Sequence, residues 1–271
     1  MGFVQAVVDH GSPEQRRQVE TDFGGPGVRA AAVLIQERGF AFDVGALATQ
    51  ATRTDDGFLL RGAKSFVPLA SGCRDLLVLA RCDGELEAFL VPAETPGVEV
   101  GIPKGALGLR ALGVADVRFH DVALPATALL GEGAVYDRES LISSARVGLC
   151  AIQTGVARAV FEHITPYTKD RIAHGSALAK KQSVAFRLAD MFIDIPSMRW
   201  MVWRAASALE QGRPAIREAR LAQIHCAEKA VAIADEGIQL MGGHGYMRAN
   251  PVERWYRDAQ TLSLLEGVVG V

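Results

Sequence analysis

Apolar residues change their spacing once along this chain. From residue 28 to about Pro125 they come in short runs rich in Val, Leu and Phe, broken by turn signals such as Asp55-Asp56-Gly57. Cys82-Asp83-Gly84-Glu85 separates DLLVLAR from ELEAFLV, and Asp-Gly between two apolar runs predicts a hairpin because the tight turn needs positive φ. Val117 and Phe119 alternate with Asp116, Arg118 and His120, the period of a strand with one buried face. After Gly131 the period becomes helical. Ile152, Val156, Val160 and Ile164 recur at i, i+4, which predicts one face of a first long helix. A second helix is predicted over about Leu178 to Gln211, with Leu188, Phe192, Ile195 and Val202 inward and a kink at Pro196. A third, Ile216 to Met241, ends at Gly242-Gly243, and a fourth starts at Asn250-Pro251-Val252-Glu253, a sequence suited to a helix N-terminus. The pattern implies an α+β fold: an antiparallel β-barrel-like or sandwich domain, then a C-terminal antiparallel domain of the four-helix-bundle type. Residues 1–27, ending in the linker-like run Phe23-Gly24-Gly25-Pro26-Gly27, stand before it.

Composition narrows the partners. Of 271 residues, 49% are hydrophobic and 22% charged, ample for a large core, and 29 Lys+Arg against 31 Asp+Glu leave a net charge of −2. That balance offers no electrostatic footprint for nucleic acid or an anionic membrane. No stretch has the length and apolarity of a membrane span, and the start lacks a signal peptide's basic and apolar regions, so a cytoplasmic protein is expected. Cys73, Cys82, Cys150 and Cys226 form no CxxC pair, and the six histidines form no HExxH, so reduced cysteines and no metal site are expected.

The usual nucleotide and hydrolase signatures, GxGxxG, GxxxxGK[ST] and GxSxG, are absent. Two features remain. Gly242-Gly243-His244-Gly245 follows a helix, where it serves either as a C-cap or as bare backbone that a large ligand approaches closely. Glu266 is the single charge in the apolar run TLSLLEGVVGV. It is either a solvated helix-end carboxylate or a desolvated base whose pKa is raised toward a useful range.

Several segments in order then resemble one family. QLMGGHGY (239–246), NPVERWYRDA (250–259) and LEG (265–267) look like the C-terminal signature of the FAD-dependent acyl-CoA dehydrogenases. Upstream, LGLR (107–110), FHDVALP (119–125), YTKDR (167–171), Gln182 and LADM (188–191) match in the same order, and GAKSFV (62–67) is similar to the strand beside the flavin.

The resemblance implies three parts: residues 1–27 as the remnant of an N-terminal helical domain with its linker, a middle β domain over 28–131, and a helical bundle over 132–271. It implies FAD as cofactor, an acyl-CoA thioester as substrate and an electron-transfer flavoprotein as electron acceptor. Glu266 takes the role of the base that removes the α-proton while the β-hydrogen leaves as hydride to flavin N5. A second base position used by some members is Ala145 here, so Glu266 stands alone. Arg171 and Gln182 would bind the flavin nucleotide of a neighbouring subunit, Gln239, Gly242 and Gly243 its adenosine side, and Arg146 the substrate. Phe66 and Pro68 occupy the flavin-facing strand, Pro68 where the family carries a hydroxyl. Gln36 and Phe42 likewise stand in a loop whose hydroxyls hold the flavin in the family, Ser143 replaces an Asp near Arg146, and Val268 replaces a Thr. These departures leave a second function open, a non-catalytic or half-site subunit of a heteromeric acyl-CoA dehydrogenase with weak or no FAD binding of its own. Since the family's front helices and last helix have no match here, a homo- or hetero-oligomer, dimer or tetramer, is expected to complete the site.

Overall fold

The computed structural model describes residues 2–27, 29–39, 42–133 and 137–265. They form two compact units, which are described separately. One comprises residues 2–106 and 110–142, the other 107–109 and 143–265.

In the first unit, α1 (Gly2–His10) and α2 (Pro13–Phe23) precede seven strands. Helix α2 starts as its sequence dictates: Ser12 and Gln15 form a capping box, with Pro13 in the first turn. Gln15 does more than cap. Its Oε1 accepts the Gly131 N–H at 2.9 Å, and its Nε2 donates to the Thr127 and Leu129 carbonyls at 2.9 and 2.8 Å. Gln15→Leu removes all of these bonds and strands buried backbone groups. We expect the unit to lose about 1–3 kcal/mol for each group that water cannot reach, read by urea unfolding.

The strands are β1 (Ala30–Leu34), β2 (Gln50–Thr54), β3 (Gly57–Val67), β4 (Cys73–Cys82), β5 (Glu85–Pro92), β6 (Val98–Val100) and β7 (Ala115–Pro125). Strands β4 and β5 form the predicted hairpin, with Asp83 and Gly84 both at positive φ. The expected β-barrel-like or sandwich domain is present as one sheet that differs from a closed antiparallel barrel in two ways. It is mixed, because β4 runs parallel to both β1 and β2, and it does not close, its order being β1-β4-β2-β3-β7-β6 with β5 on the other side of β4. Period-two patterning reports which face is buried, and parallel and antiparallel neighbours bury the same face. Leu34, Leu60, Leu76, Val78, Phe89, Val117 and Val122 lie in the core beneath the sheet.

The second unit holds α3 (Arg138–Asp170, from its residue 143), α4 (Gln182–Glu210), α5 (Ile216–Met241) and α6 (Pro251–Leu262), with a small hairpin of β8 (Ile172–Ala173) and β9 (Ser176–Ala177) between α3 and α4. Helix α5 buries two faces, and its alanines 219, 222, 227, 230 and 234 let neighbouring helices approach closely. At Gly237 a Cβ would lie 2.5 Å from Val160 Cγ1, so only hydrogen fits. The predicted inward face of α3 is corrected: Ile152 is 53% exposed, and the buried line runs through Cys150, Gln153, Ala157, Val160 and Ile164. Steps of four residues overshoot a 3.6-residue turn by about 40° each, so an i, i+4 row drifts off the face it starts on. Phe192 of α4 is exposed as well. Asn250 precedes α6 without capping it by its side chain, whose Nδ2 donates instead to the His244 carbonyl at 2.8 Å.

All four cysteines are free and buried, and burial pushes the Cys73 thiol up to about 11. Among the described residues no helix is long and apolar enough to cross a membrane.

Candidate functional site

At one end of the helical unit, α3 terminates at Asp170 and Arg171 begins the hairpin. The Arg171 N–H donates to the Tyr167 carbonyl, and the Leu178 N–H returns to the Arg171 carbonyl, both at 2.9 Å. His174 and Gly175 make the turn at positive φ, and the chain re-enters helix at Gln182, the first residue of α4. Arg171 and Gln182 are both exposed, and among the described residues the Arg171 guanidinium has no carboxylate partner. An exposed guanidinium without a carboxylate partner among the described residues suits an anion, as does the N-terminus of a 29-residue helix.

The glycine cluster lies against the same helix end. Helix α5 stops at Met241 with Gly242 at φ +57, and a 3-10 turn continues through Tyr246. The Tyr167 hydroxyl donates to the Met241 carbonyl at 3.2 Å and lies 3.4 Å from His244 Nδ1, with the two rings edge to face. So Tyr167, four residues before Arg171, joins the end of α3 to the turn. A Cβ placed on Gly242 or Gly243 would meet nothing within 4 Å, so bare backbone faces open space. Gln239 reaches the same turn, its Nε2 donating to the Tyr246 hydroxyl at 3.3 Å. Arg171, Gln239, Gly242 and Gly243 thus belong to one end of the unit. The role of Tyr167 was hidden because its motif marks position but not contact.

Arg146 is not part of that end. It is 6% exposed on α3, twenty-five residues before Arg171, which puts the two about 37 Å apart along the axis at 1.5 Å per residue. Ser143 and Gln153 share its buried face, and among the described residues the Ser143 hydroxyl and both amide atoms of Gln153 have no hydrogen-bond partner. Glu266, with Gly267 and Val268, lies outside the described residues.

In the β unit, Phe66 and Pro68 follow an irregularity. The β3–β7 register slips between Lys64 and Val67, and Phe66 adopts φ +56, a backbone that costs an aromatic residue energy. Across from this bulge lies the loop between β1 and β2. Lys64, a fully buried lysine, donates from Nζ to the Ile35 carbonyl at 3.1 Å and to Glu37 Oε1 at 2.8 Å. The Glu37 carboxylate also accepts the Thr49 hydroxyl at 2.6 Å, the Thr49 N–H at 3.0 Å and the Ala48 N–H at 2.6 Å. Burial pushes this carboxyl up, but the Lys64 charge and these hydrogen bonds outweigh it and hold the pKa below its ordinary value. Gly62, at φ +141, brings β3 against Thr49, since a Cβ there would lie 2.7 Å from Thr49 Cα. Farther along the loop, Arg38 and Lys104 both bind the carboxylate of Asp116, Lys104 at 2.7 Å.

Two family models match the chain in succession. Residues 32–122 match the family model "Acyl-CoA dehydrogenase, middle domain" and residues 131–271 the model "Acyl-CoA dehydrogenase, C-terminal domain". The chain is 33% identical over 272 residues to the mitochondrial short-chain specific acyl-CoA dehydrogenase of Bos taurus, covering 98% of this chain and 66% of that one. It is 29% identical over 248 residues to the caffeyl-CoA reductase-Etf complex subunit CarC of Acetobacterium woodii, covering 89% of this chain and 65% of that one. Among solved structures, butyryl-CoA dehydrogenase from Megasphaera elsdenii superposes with a TM-score of 0.85 at 29% identity over 98% of this chain and 72% of that one. The chain therefore spans about two thirds of the length of these relatives. With both family models matched in order over most of its residues, the chain belongs to the acyl-CoA dehydrogenase family.

Proposed function

We propose that this chain carries out the flavin-dependent α,β-dehydrogenation of an acyl-CoA thioester. The observation that carries the reading is the end of the helical unit where Tyr167 ties the Arg171 helix end to the open Gly242-Gly243 turn. In the helical unit the residues fit the nucleotide part of FAD: a cation without a carboxylate partner among the described residues for the diphosphate, and glycine backbone that a flat adenosine can approach. When bound, the flavin supplies the acceptor for the substrate's β-hydride at N5.

The rest falls to this chain's own groups. Glu266 takes the α-proton onto its carboxylate as the carbon–carbon double bond forms. Arg171 and Gln182 hold the nucleotide, Gln239, Gly242 and Gly243 its adenosine side, Phe66 and Pro68 border the ring, and Arg146 holds the substrate. Because Arg146 lies in the third turn of α3 and Arg171 just past its far end, one chain contributes to two separate sites, which supports an oligomer. Phe186, Ile193, Trp200 and Trp203, exposed on α4, support the same assembly. The resemblance to a subunit of a caffeyl-CoA reductase–Etf complex supports an electron-transfer flavoprotein as the acceptor.

The test is the visible spectrum of the purified protein with added FAD. We expect a bound-flavin band, and Arg171→Ala to weaken binding by about 10- to 100-fold, the worth of a charge-assisted hydrogen bond to phosphate. A protein that stays colourless would refute this reading and favour the half-site subunit.

A further inference from the structure

Residues 107–109 belong to the helical unit, although the chain on either side of them belongs to the first. Three side chains on one face of α6 capture their backbone. Arg257 Nη1 donates to the Leu107 carbonyl at 3.1 Å, the Gly108 N–H donates to Thr261 Oγ1 at 2.8 Å, and the Leu109 N–H donates to Asp258 Oδ1 at 2.7 Å. The approach is close and strained: a Cβ on Gly108 would lie 2.1 Å from the Arg257 carbonyl oxygen, and Leu109 adopts φ +49. The helix side is braced in turn. Glu253 accepts from Arg257 Nε at 2.8 Å and from its Nη2 at 3.1 Å, and the buried Thr261 hydroxyl donates to the Arg257 carbonyl at 3.1 Å while it accepts from Gly108.

This clamp grips the end of α6 and not its middle, Thr261 being the penultimate residue of the helix. A last helical turn has carbonyls without intrahelical partners and is the part that opens most readily. Here it stays wound: the N–H groups of Ser263, Leu264 and Leu265 donate to the carbonyls of Ala259, Thr261 and Leu262 at 3.1, 3.1 and 3.3 Å, and Leu265 is buried. Glu266 is the next residue in the sequence. We propose that Thr261 and Asp258 are positioning residues for the base: gripped by the 107–109 loop, the end of α6 fixes the point from which the chain continues to Glu266. This rests on the reading of Glu266 as the base. The two residues exchange no proton with the substrate themselves. Their effect falls on rate, because proton transfer needs the base within hydrogen-bond reach of the α-proton, whereas thioester binding does not.

The test is stopped-flow bleaching of the FAD-loaded full chain by saturated acyl-CoA thioesters from butyryl-CoA to palmitoyl-CoA, continued with the one that bleaches the wild type fastest. Thr261→Val removes the acceptor of the Gly108 N–H, and Asp258→Ala that of the Leu109 N–H. Each is expected to slow the limiting rate about 10- to 100-fold while the thioester concentration at half-maximal rate stays as in the wild type. Thr261→Ser keeps the hydroxyl and should restore the rate to within about twofold of the wild type. If Thr261→Val loses its helical circular dichroism, Asp258→Ala carries the same comparison at the other bond. Wild-type rates in both variants, losses that fall equally on rate and thioester affinity, or loss of fold in both overturn the positioning role and leave Glu266 as the base. A wild-type rate in Glu266→Gln overturns the base itself, and this inference with it.

Discussion

Glu266→Gln is expected to slow acyl-CoA-driven bleaching of the bound flavin by about 10²- to 10⁴-fold, the usual contribution of a positioned general base. Glutamine keeps the size of the side chain and its capacity to accept a hydrogen bond, but it has no carboxylate to receive the α-proton. Substrate binding and the visible spectrum of the resting flavin should stay as they are, because neither depends on proton transfer. Stopped-flow absorbance with saturating thioester separates the two effects: the amplitude of any slow phase reports binding, its rate reports the base. Bleaching at the wild-type rate would remove Glu266 from the mechanism.

Lys64→Met is expected to destabilise the β unit by about 3–5 kcal/mol, the cost of leaving one member of a buried ion pair without the other. The Lys64 side chain is fully buried and that of Glu37 is 11% exposed, so water cannot take the place of the ammonium. Methionine fills much of the volume, and the loss is therefore electrostatic. Adding Glu37→Gln to Lys64→Met should recover part of it, because the second change removes the stranded charge. The pH dependence has a definite sign. In the wild type the Glu37 carboxyl titrates below its ordinary value of 4.5, so its contribution is present at neutral pH and is lost as the pH falls through that lowered pKa. In Lys64→Met the lysine's charge and hydrogen bond are gone, and burial, which raises the carboxyl, is opposed only by the Thr49 and Ala48 hydrogen bonds, so protonation relieves the variant at a higher pH than it harms the wild type. Urea unfolding at pH 7 and near pH 4 should show the gap between the two proteins narrowing in acid. A gap independent of pH would mean the pair contributes only packing.

Helices were legible where pattern and punctuation agreed. The third predicted helix, Ile216 to Met241, matches α5 at both ends, since it begins after Pro214 and is stopped by two glycines. The hairpin at Asp83-Gly84 was legible for the same local reason. Helix faces were less so. Ile152 and Phe192 fit an apolar row but sit on the outside, because hydropathy along one helix does not tell which of two apolar stripes meets the bundle. The parallel partner of β1 was invisible, since pairing direction is decided by distant chain and leaves no mark in local alternation.

Of the candidate site, the family motifs located Arg171, Gln239 and the glycine turn. What they could not show is long-range chemistry among polar residues: the Tyr167 hydroxyl on the Met241 carbonyl, the Lys64–Glu37 pair, and the unsatisfied oxygen of Gln36. The first two join residues far apart in sequence through one or two atoms, and the third is a bond not made, details that residue spacing does not resolve.

The parallel pairing of β1 with β4 also bears on the order in which the sheet assembles. Hairpins β2–β3 and β4–β5 connect near neighbours and can form early, whereas Ala30 finds its partner only at Cys73, after the intervening strands are in place. Arg29 then fastens the junction by pairing with Asp75 of β4 and Asp22 of α2. Until that happens, the edge of β4 that β1 will cover is an unpaired row of amides and carbonyls. During synthesis β1 therefore waits for chain made later, and until it docks that edge of β4 is open to pairing with another chain.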